Sequence, residues 1–267
     1  MKMKFANLQG LALRLCAFTF ALCISGRGIN AADLPDVEKI CGAKNMEDLA
    51  VIGKTRWVIG SSMAAAKNGM PVPNEGTGTL VLVDRDARTV QSLTPADVGT
   101  HFDSNRFPSC SGPLPFAQLS PHGVDLRPER DGTMTLYVVN HSKRQSIEVY
   151  RVDARGKKPT VDWIGCSELP STAFPSGVAA LPDGGLLVTS TYDQKDAAWK
   201  ESLASGKPVG SVYRWDKKGG WREISVGVIA GLNGPAIRPD GKIAFVSGWS
   251  EGKIYRLDLA HPERTMP

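Results

Sequence analysis

Between residues 121 and 257 the apolar and polar positions fall into three copies of one layout. Each copy opens on a glycine-centred step: Pro121-His122-Gly123-Val124, Pro175-Ser176-Gly177-Val178 and Leu232-Asn233-Gly234-Pro235. An Asp-Gly pair follows at Asp131-Gly132, Asp183-Gly184 and Asp240-Gly241. Then comes a short apolar run (Leu136–Val139, Leu186–Thr189, Ile243–Val246) and a second strand-like run (Ile147–Val152, Ser211–Trp215, Lys253–Leu257). The marker glycines 123, 177 and 234 stand 54 and 57 residues apart. β-Branched and aromatic residues fill the runs, and Asp-Gly suits tight turns because glycine accepts a positive φ without a Cβ clash. Each copy therefore reads strand, turn, strand, loop, strand. Thr160–Ile164 and Trp221–Val226 supply a fourth, outer strand.

A fainter first copy lies upstream, with Glu47-Asp48-Leu49-Ala50-Val51, Trp57–Gly60 and Thr79–Asp84. A polar loop from Met63 to Gly78 interrupts it, and another from Pro95 to Pro115 joins it to the second copy. Four short strands at a period near ~55 predict an all-β fold, a β-propeller. The alternative, a β-sandwich, places strands about 8–12 residues apart without such a repeat. About four blades are visible and the last stops after its third strand, so the expectation is an incomplete propeller in a truncated sequence.

The chain has 267 residues with 32 basic and 27 acidic side chains, a net charge of +5. Residues 1–31 contain Lys2, Lys4, Arg14 and Arg27 and no acid, which leaves 28 basic against 27 acidic side chains in 32–267. A near-neutral body lacks the clustered cations that nucleic acid binding needs. The 11-residue apolar run Leu15–Ser25 follows a basic start and precedes the small residues Ala31 and Ala32. It is shorter than the ~18 residues of a membrane span. The reading is a signal peptide over 1–31 and a propeller domain over 32–267, periplasmic or secreted after cleavage, with no transmembrane segment in the mature chain. The alternative, an uncleaved anchor, is opposed by that length.

Cys41, Cys110 and Cys166 remain after cleavage. Three thiols allow one internal pair and leave one without a partner in the chain. No C-x-x-C spacing supports a thiolate metal site. Walker A, G-x-S-x-G and H-E-x-x-H are absent, which disfavours a P-loop enzyme, a serine-triad hydrolase and a zincin.

A propeller gathers the starts of its inner strands around a central channel. The residues before the marker glycines, His122, Ser176 and Asn233, should point there, with Glu47 and Asp48 in the equivalent place of the first copy. Converging oxygen donors suit Ca²⁺, and a histidine beside them can act as a general base. His141 ends the second strand of the blade that starts with His122, so the two are candidate partners. Asn140-His141-Ser142 is also an N-x-S acceptor pattern.

Ser120-Pro121-His122-Gly123-Val124, Leu136–His141 and Ile147–Tyr150 resemble the paraoxonase/arylesterase family. Asn233-Gly234 with Pro239–Lys242 is similar to that family and to the wider senescence-marker-protein/gluconolactonase superfamily. The resemblance implies a six-bladed propeller with one catalytic and one structural Ca²⁺, hydrolysing lactones and aryl esters. It implies that His122 and His141 are the catalytic histidines and that Glu47 and Asn233 bind the catalytic ion. Asp48 and the Val124 carbonyl would bind the structural ion. The chain departs from the family at Ser176-Gly177, where an Asn-Asp ligand pair is expected. It also lacks the family's later ligand loop and the cysteine that would pair with Cys41, so Cys41 is expected free. The expectation is an exported calcium-dependent hydrolase acting on a small lactone or ester. The alternative is a non-catalytic propeller that binds a small molecule or protein.

Overall fold

The computed structural model describes residues 39–64, 77–226 and 229–267. The signal peptide reading falls outside these residues, as does most of the Met63–Gly78 loop. The chain divides at Lys39/Ile40, and everything described below belongs to the unit Ile40–Pro267.

Among the described residues sixteen strands form four sheets. The first holds β1 (Met46–Val51), β2 (Trp57–Ser62), β3 (Thr79–Asp84) and β4 (Thr89–Ser92) in that order. The second contains β5 (Val98–Thr100), β6 (Pro121–Pro128), β7 (Met134–Asn140), β8 (Ser146–Asp153) and β9 (Thr160–Glu168). The third contains β10 (Ala173–Ala180), β11 (Leu186–Asp193), β12 (Ser211–Asp216) and β13 (Gly220–Ile224). The last has β14 (Leu232–Ile237), β15 (Ile243–Gly248) and β16 (Lys253–Asp258). Apart from β5, each sheet is an antiparallel meander, and together they are four blades of a β-propeller, as the repeat predicts. The expected outer strands appear as β9 and β13, and the last blade has three strands. A short α-helix, α1 (Trp199–Ala204), lies between β11 and β12. Among the described residues no helix is long and apolar enough to cross a membrane.

The middle blades are covered on both faces, which explains their unbroken apolar runs. In β7, Leu136 and Val138 pack towards the first blade with Ile59, Leu80 and Tyr150. Tyr137 and Val139 pack the other way with Val178, Val188 and Trp215. Period-two alternation thus feeds two cores from one strand. A third core joins Leu187 and Val212 to Leu232, Val246 and Leu257. On the far faces of the first and last blades, Leu49 and Ile254 are exposed.

The Asp-Gly turns form as expected: Gly132, Gly184 and Gly241 have φ of 81°, 90° and 69°. The marker glycines do something else. A methyl group on Gly123 would stand 2.6 Å from the Ser176 carbonyl oxygen and 2.8 Å from Gly177 Cα. A methyl on Gly177 would overlap the Pro235 ring and sit 3.1 Å from Gly234 N. The inner strands of neighbouring blades touch backbone to backbone at these points, and only glycine leaves room.

Sequence pattern misses β5, which adds in parallel to the outer edge of β9 within the loop read as a plain connection. Beyond it, Cys110 bonds Cys166 on β9 with a Cα–Cα distance of 5.1 Å, while Cys41 is free and exposed.

Two outcomes follow. Gly123→Ala and Gly177→Ala should each cost about 1–3 kcal/mol through overpacking against backbone, whereas Gly156→Ala, whose methyl would meet only the Lys158 carbonyl at an ordinary contact distance of 3.6 Å, should stay within ~0.5 kcal/mol. Urea midpoints decide this, and equal midpoints for all three would refute the close-approach account. Reducing the Cys110–Cys166 bond, which closes a separation of 56 residues, should lower stability by roughly 2–4 kcal/mol. Peptide mapping before reduction should find Cys41 labelled by a thiol reagent.

Candidate active site

Every inner strand carries a β-bulge at its marker position. Register slips by one residue between Met46 and Asp48 in β1, between Pro121 and Val124 in β6, between Pro175 and Gly177 in β10, and between Asn233 and Pro235 in β14. The extra residues are Glu47, one of His122 and Gly123, Ser176, and Gly234. A bulge leaves a residue unpaired in the ladder and re-aims its side chain. In the first three blades this turns polar side chains out of the sheets at one end of the inner strands; in the fourth the extra residue is a glycine.

In the second blade this brings His122 against His141, which directly follows β7. His122 Nδ1 lies 2.9 Å from His141 Nε2, and His141 Nδ1 lies 2.8 Å from Gln145 Oε1. His122 Nε2 lies 3.2 Å from Glu47 Oε1 on the first blade. Four side chains thus form one hydrogen-bonded row. The expected histidine pair exists, but it is no open channel wall: His122 is 6% exposed and His141 3%. Glu47, with 36% of its side chain exposed, is the end that meets solvent.

The proton order follows from the far end. The Gln145 amide oxygen only accepts, so His141 donates from Nδ1 and presents a lone pair at Nε2. His122 donates into it from Nδ1. One proton then sits between His122 Nε2 and Glu47, because two bare acceptors do not face each other. The hydrogen bond from His122 holds the Glu47 carboxyl below its usual range, opposed by burial and helped by the charge of His122. Burial pushes His141 down to about 3, with the neighbouring His122 adding to the effect against the Gln145 bond. His141 is therefore a neutral acceptor at ordinary pH.

The turn that carries His141 and Gln145 is built around a buried carboxylate. Glu148 on β8 is fully buried and accepts from Arg144 (2.9 Å), Ser146 Oγ (2.7 Å) and Trp163 Nε1 (2.8 Å). Arg144 also donates to Ser111 Oγ and the Gly112 carbonyl, beside Cys110. Asn140 donates from Nδ2 to the Ser142 and Arg144 carbonyls and to Ser146 Oγ, while its oxygen accepts from Ser120 N. It is fully buried, so the N-x-S pattern is a turn brace and not a sugar acceptor.

The remaining predicted residues take part differently. Asp48 Oδ2 accepts from Val124 N at 2.9 Å and Oδ1 from Leu49 N at 2.8 Å. It joins the first and second blades, and it meets Val124 through the amide. Asp125 repeats the device one blade on, accepting from Ala180 N at 2.7 Å. Burial raises its pKa, against bonds from Ala180 and Leu126, and the charge of Asp48 adds to the rise. Ser176 is buried, its hydroxyl placed against the Leu232 carbonyl of the fourth blade. Asn233 stays in the ladder opposite Ser247, and its oxygen accepts from Gly234 N. Among the described residues no hydrogen bond joins Asn233 to the histidine row.

These donors as placed do not fit the two-calcium arrangement that the family resemblance implies. Calcium takes about six to eight oxygens at ~2.3–2.6 Å. Here both oxygens of Asp48 and that of Asn233 accept backbone N–H bonds, and Glu47 faces a histidine. Among the described residues no three His, Cys, Asp or Glu side chains gather as a metal-holding group.

No family model matches the chain and no curated protein does. Solved structures similar to it include a protein from Lactobacillus plantarum (15% identity over 85% of this chain, TM-score 0.46). The periplasmic gluconolactonase of Pseudomonas aeruginosa matches with 13% identity over 81% and a TM-score of 0.43. The virginiamycin B lyase of Staphylococcus aureus matches with 13% identity over 81% and a TM-score of 0.39. The chain spans 56%, 53% and 68% of those proteins, respectively. With TM-scores below 0.5, the chemistry is read from the site's own residues. The resemblance to the paraoxonase/arylesterase family rests on the sequence motifs.

Acid lability is the expected signature of this row. Glu47 has its pKa lowered from 4.5, so its stabilising contribution is complete above that value and is lost as pH falls through the folded-state value. His141 is lowered from 6.5 to about 3, so the unfolded chain gains a proton over that interval while the folded chain does not. Both signs agree: stability falls with acid, starting near pH 6.5. Melting temperatures from neutral to acid pH should show a shallower upper part of the fall in His141→Gln. Parallel curves would contradict the buried neutral imidazole.

Proposed function

We propose that the chain is a hydrolase of lactones or esters that activates water at the His122–Glu47 end of the histidine row. The observation that carries this reading is the unbroken sequence Gln145–His141–His122–Glu47, buried at one end and open to solvent at the other. A buried imidazole pair with defined donors and acceptors, beside a carboxylate, is a general-base arrangement.

His141 and Gln145 fix His122 as the Nδ1–H form, which directs its second nitrogen towards Glu47. When the proton shared with Glu47 leaves, His122 Nε2 offers a lone pair. With the Glu47 carboxylate turned aside, a water takes the place in front of that nitrogen. An O–H bond of the water breaks as its oxygen bonds the acyl carbon, and the proton moves to His122 Nε2. The Glu47 carboxylate opposes the positive charge that develops on the ring. As the tetrahedral intermediate collapses, the leaving alkoxide takes the proton back from Nε2. The products are a carboxylic acid and an alcohol, joined in one molecule when the substrate is a lactone. Water is consumed and the base is restored.

A second reading, a propeller that binds without catalysis, is favoured by Ser176-Gly177. That step is packed into the contact between the third and fourth blades and presents no free ligand. We also propose export. The basic and apolar pattern of residues 1–31 supports it, as does the Cys110–Cys166 bond, which persists in oxidising compartments.

Turnover of a panel of aliphatic lactones and aryl esters by the full chain tests the proposal. His122→Gln keeps hydrogen-bonding capacity but cannot take a proton near neutrality. Turnover should fall by about 10²–10⁴-fold. Because His122 is buried, some loss of melting temperature accompanies it. Unchanged turnover in the variant would remove His122 as the base. No turnover of either substrate class by the unaltered chain would leave the binding reading.

A further inference from the structure

The row fixes His141 at its edges, and a different set of residues covers its face. The His141 ring lies parallel to Phe174, with centroids 4.3 Å apart and planes 9° apart. Phe174 stacks on Tyr192 at 4.4 Å and 11°, and Tyr192 stacks on Trp199 at 3.8 Å and 4°. The four rings come from four places: the turn after β7, the start of β10, the end of β11, and the first residue of α1. Aromatic pairs in cores take many tilts, including edge-to-face. Phe116 and Tyr150 elsewhere in this chain meet at 89°. Three successive parallel contacts ending on a histidine are a different arrangement. Phe174 and Tyr192 are buried, whereas Trp199 is partly exposed on the segment 194–210.

The two hydrogen bonds of His141 lie in the plane of its ring, one to Gln145 and one to His122. They stop the ring from sliding but leave it free to tilt about the line joining its two nitrogens. A tilt would swing the Nε2 lone pair off the His122 N–H. A flat ring pressed against the imidazole face blocks that motion. We infer that Phe174, backed by Tyr192 and Trp199, is the positioning residue of the histidine pair, and that segment 194–210 holds the pair in register through this column. The inference rests on the reading of His122 as the working base.

Phe174 also keeps water from the His141 face. The groups around His141 are His122 on β6, with Glu47 of β1 beyond it, the Gln145 amide, and the Phe174 ring. Of the groups that titrate, only His122 acts on its charge, and burial is the larger cause of the drop to about 3. Opening the face to water raises the pKa of His141.

The test uses the full chain labelled with ¹⁵N, read by histidine side-chain spectra across pH together with kcat and KM. Phe174→Leu keeps apolar volume and removes the flat ring. Its His141 signals should move and titrate at higher pH than in the unaltered chain, while kcat falls about tenfold and KM stays within about twofold. Phe174→Tyr should restore both. Trp199→Leu, at the outer end of the column and outside the core, should shift the same signals by a smaller amount. His141 spectra and pH response that superimpose on the unaltered chain in both variants would overturn the inference, as would a loss of kcat without any change at His141. If Phe174→Leu does not fold, Trp199→Leu decides by the same spectra. If the unaltered chain hydrolyses nothing, the hydrolase reading fails while the spectra still judge the column.

Discussion

Backbone contact between neighbouring inner strands governs this molecule. At Gly123 and Gly177 adjacent blades approach until no Cβ fits between them. Blades held this close share cores on both faces, so the middle strands become apolar along their whole length. The same proximity lets side chains cross from one blade to the next. Asp48 reaches Val124, Asp125 reaches Ala180, and Glu47 reaches His122. Wider spacing would leave these carboxylates short of their partners, and the histidine row would end inside one blade.

The bulges work on the other side of that constraint. A strand in perfect register would send alternate side chains into the two cores and leave none for the row. In the first three blades one extra residue per inner strand frees a polar group without disturbing the apolar alternation that follows it. The fourth blade shows what a shift of one position does. There the extra residue is Gly234, so Asn233 stays paired with Ser247 and turns its oxygen to its own neighbour.

Much of this was legible in the residues. Asp-Gly turns, the apolar runs and the marker glycines define three blades and most of the first, and the His122/His141 pairing follows from strand ends in one hairpin. The glycines were legible as a repeat but not as a contact, since nothing local to Gly123 announces Ser176. β5 escaped because three residues in a loop carry no periodicity. Gln145 and Glu148 lie within eight residues of Asn140, yet their roles depend on Trp163 and on the loop of Ser111 and Gly112. The ring column joins positions 141, 174, 192 and 199, which share no spacing. The register at Asn233 was hidden for the opposite reason: its local motif matches the other blades, and the bulge beside it is displaced by one residue.

Arg144 shows how far a residue can stand from chemistry and still govern it. Its guanidinium is, among the described residues, the only cation given to the fully buried Glu148, and it also grips the loop that ends at the Cys110–Cys166 bond. Removing one partner of a buried ion pair leaves an uncompensated charge, at a cost of about 3–5 kcal/mol. Here that charge would lie three residues from Gln145, at the base of the turn that aims His141. A survey of substitutions scored only by activity would therefore assign Arg144 to the reaction, although it touches none of the atoms that react. Genetic damage in the loop of Ser111 would be misread in the same way, as a lesion of the histidines.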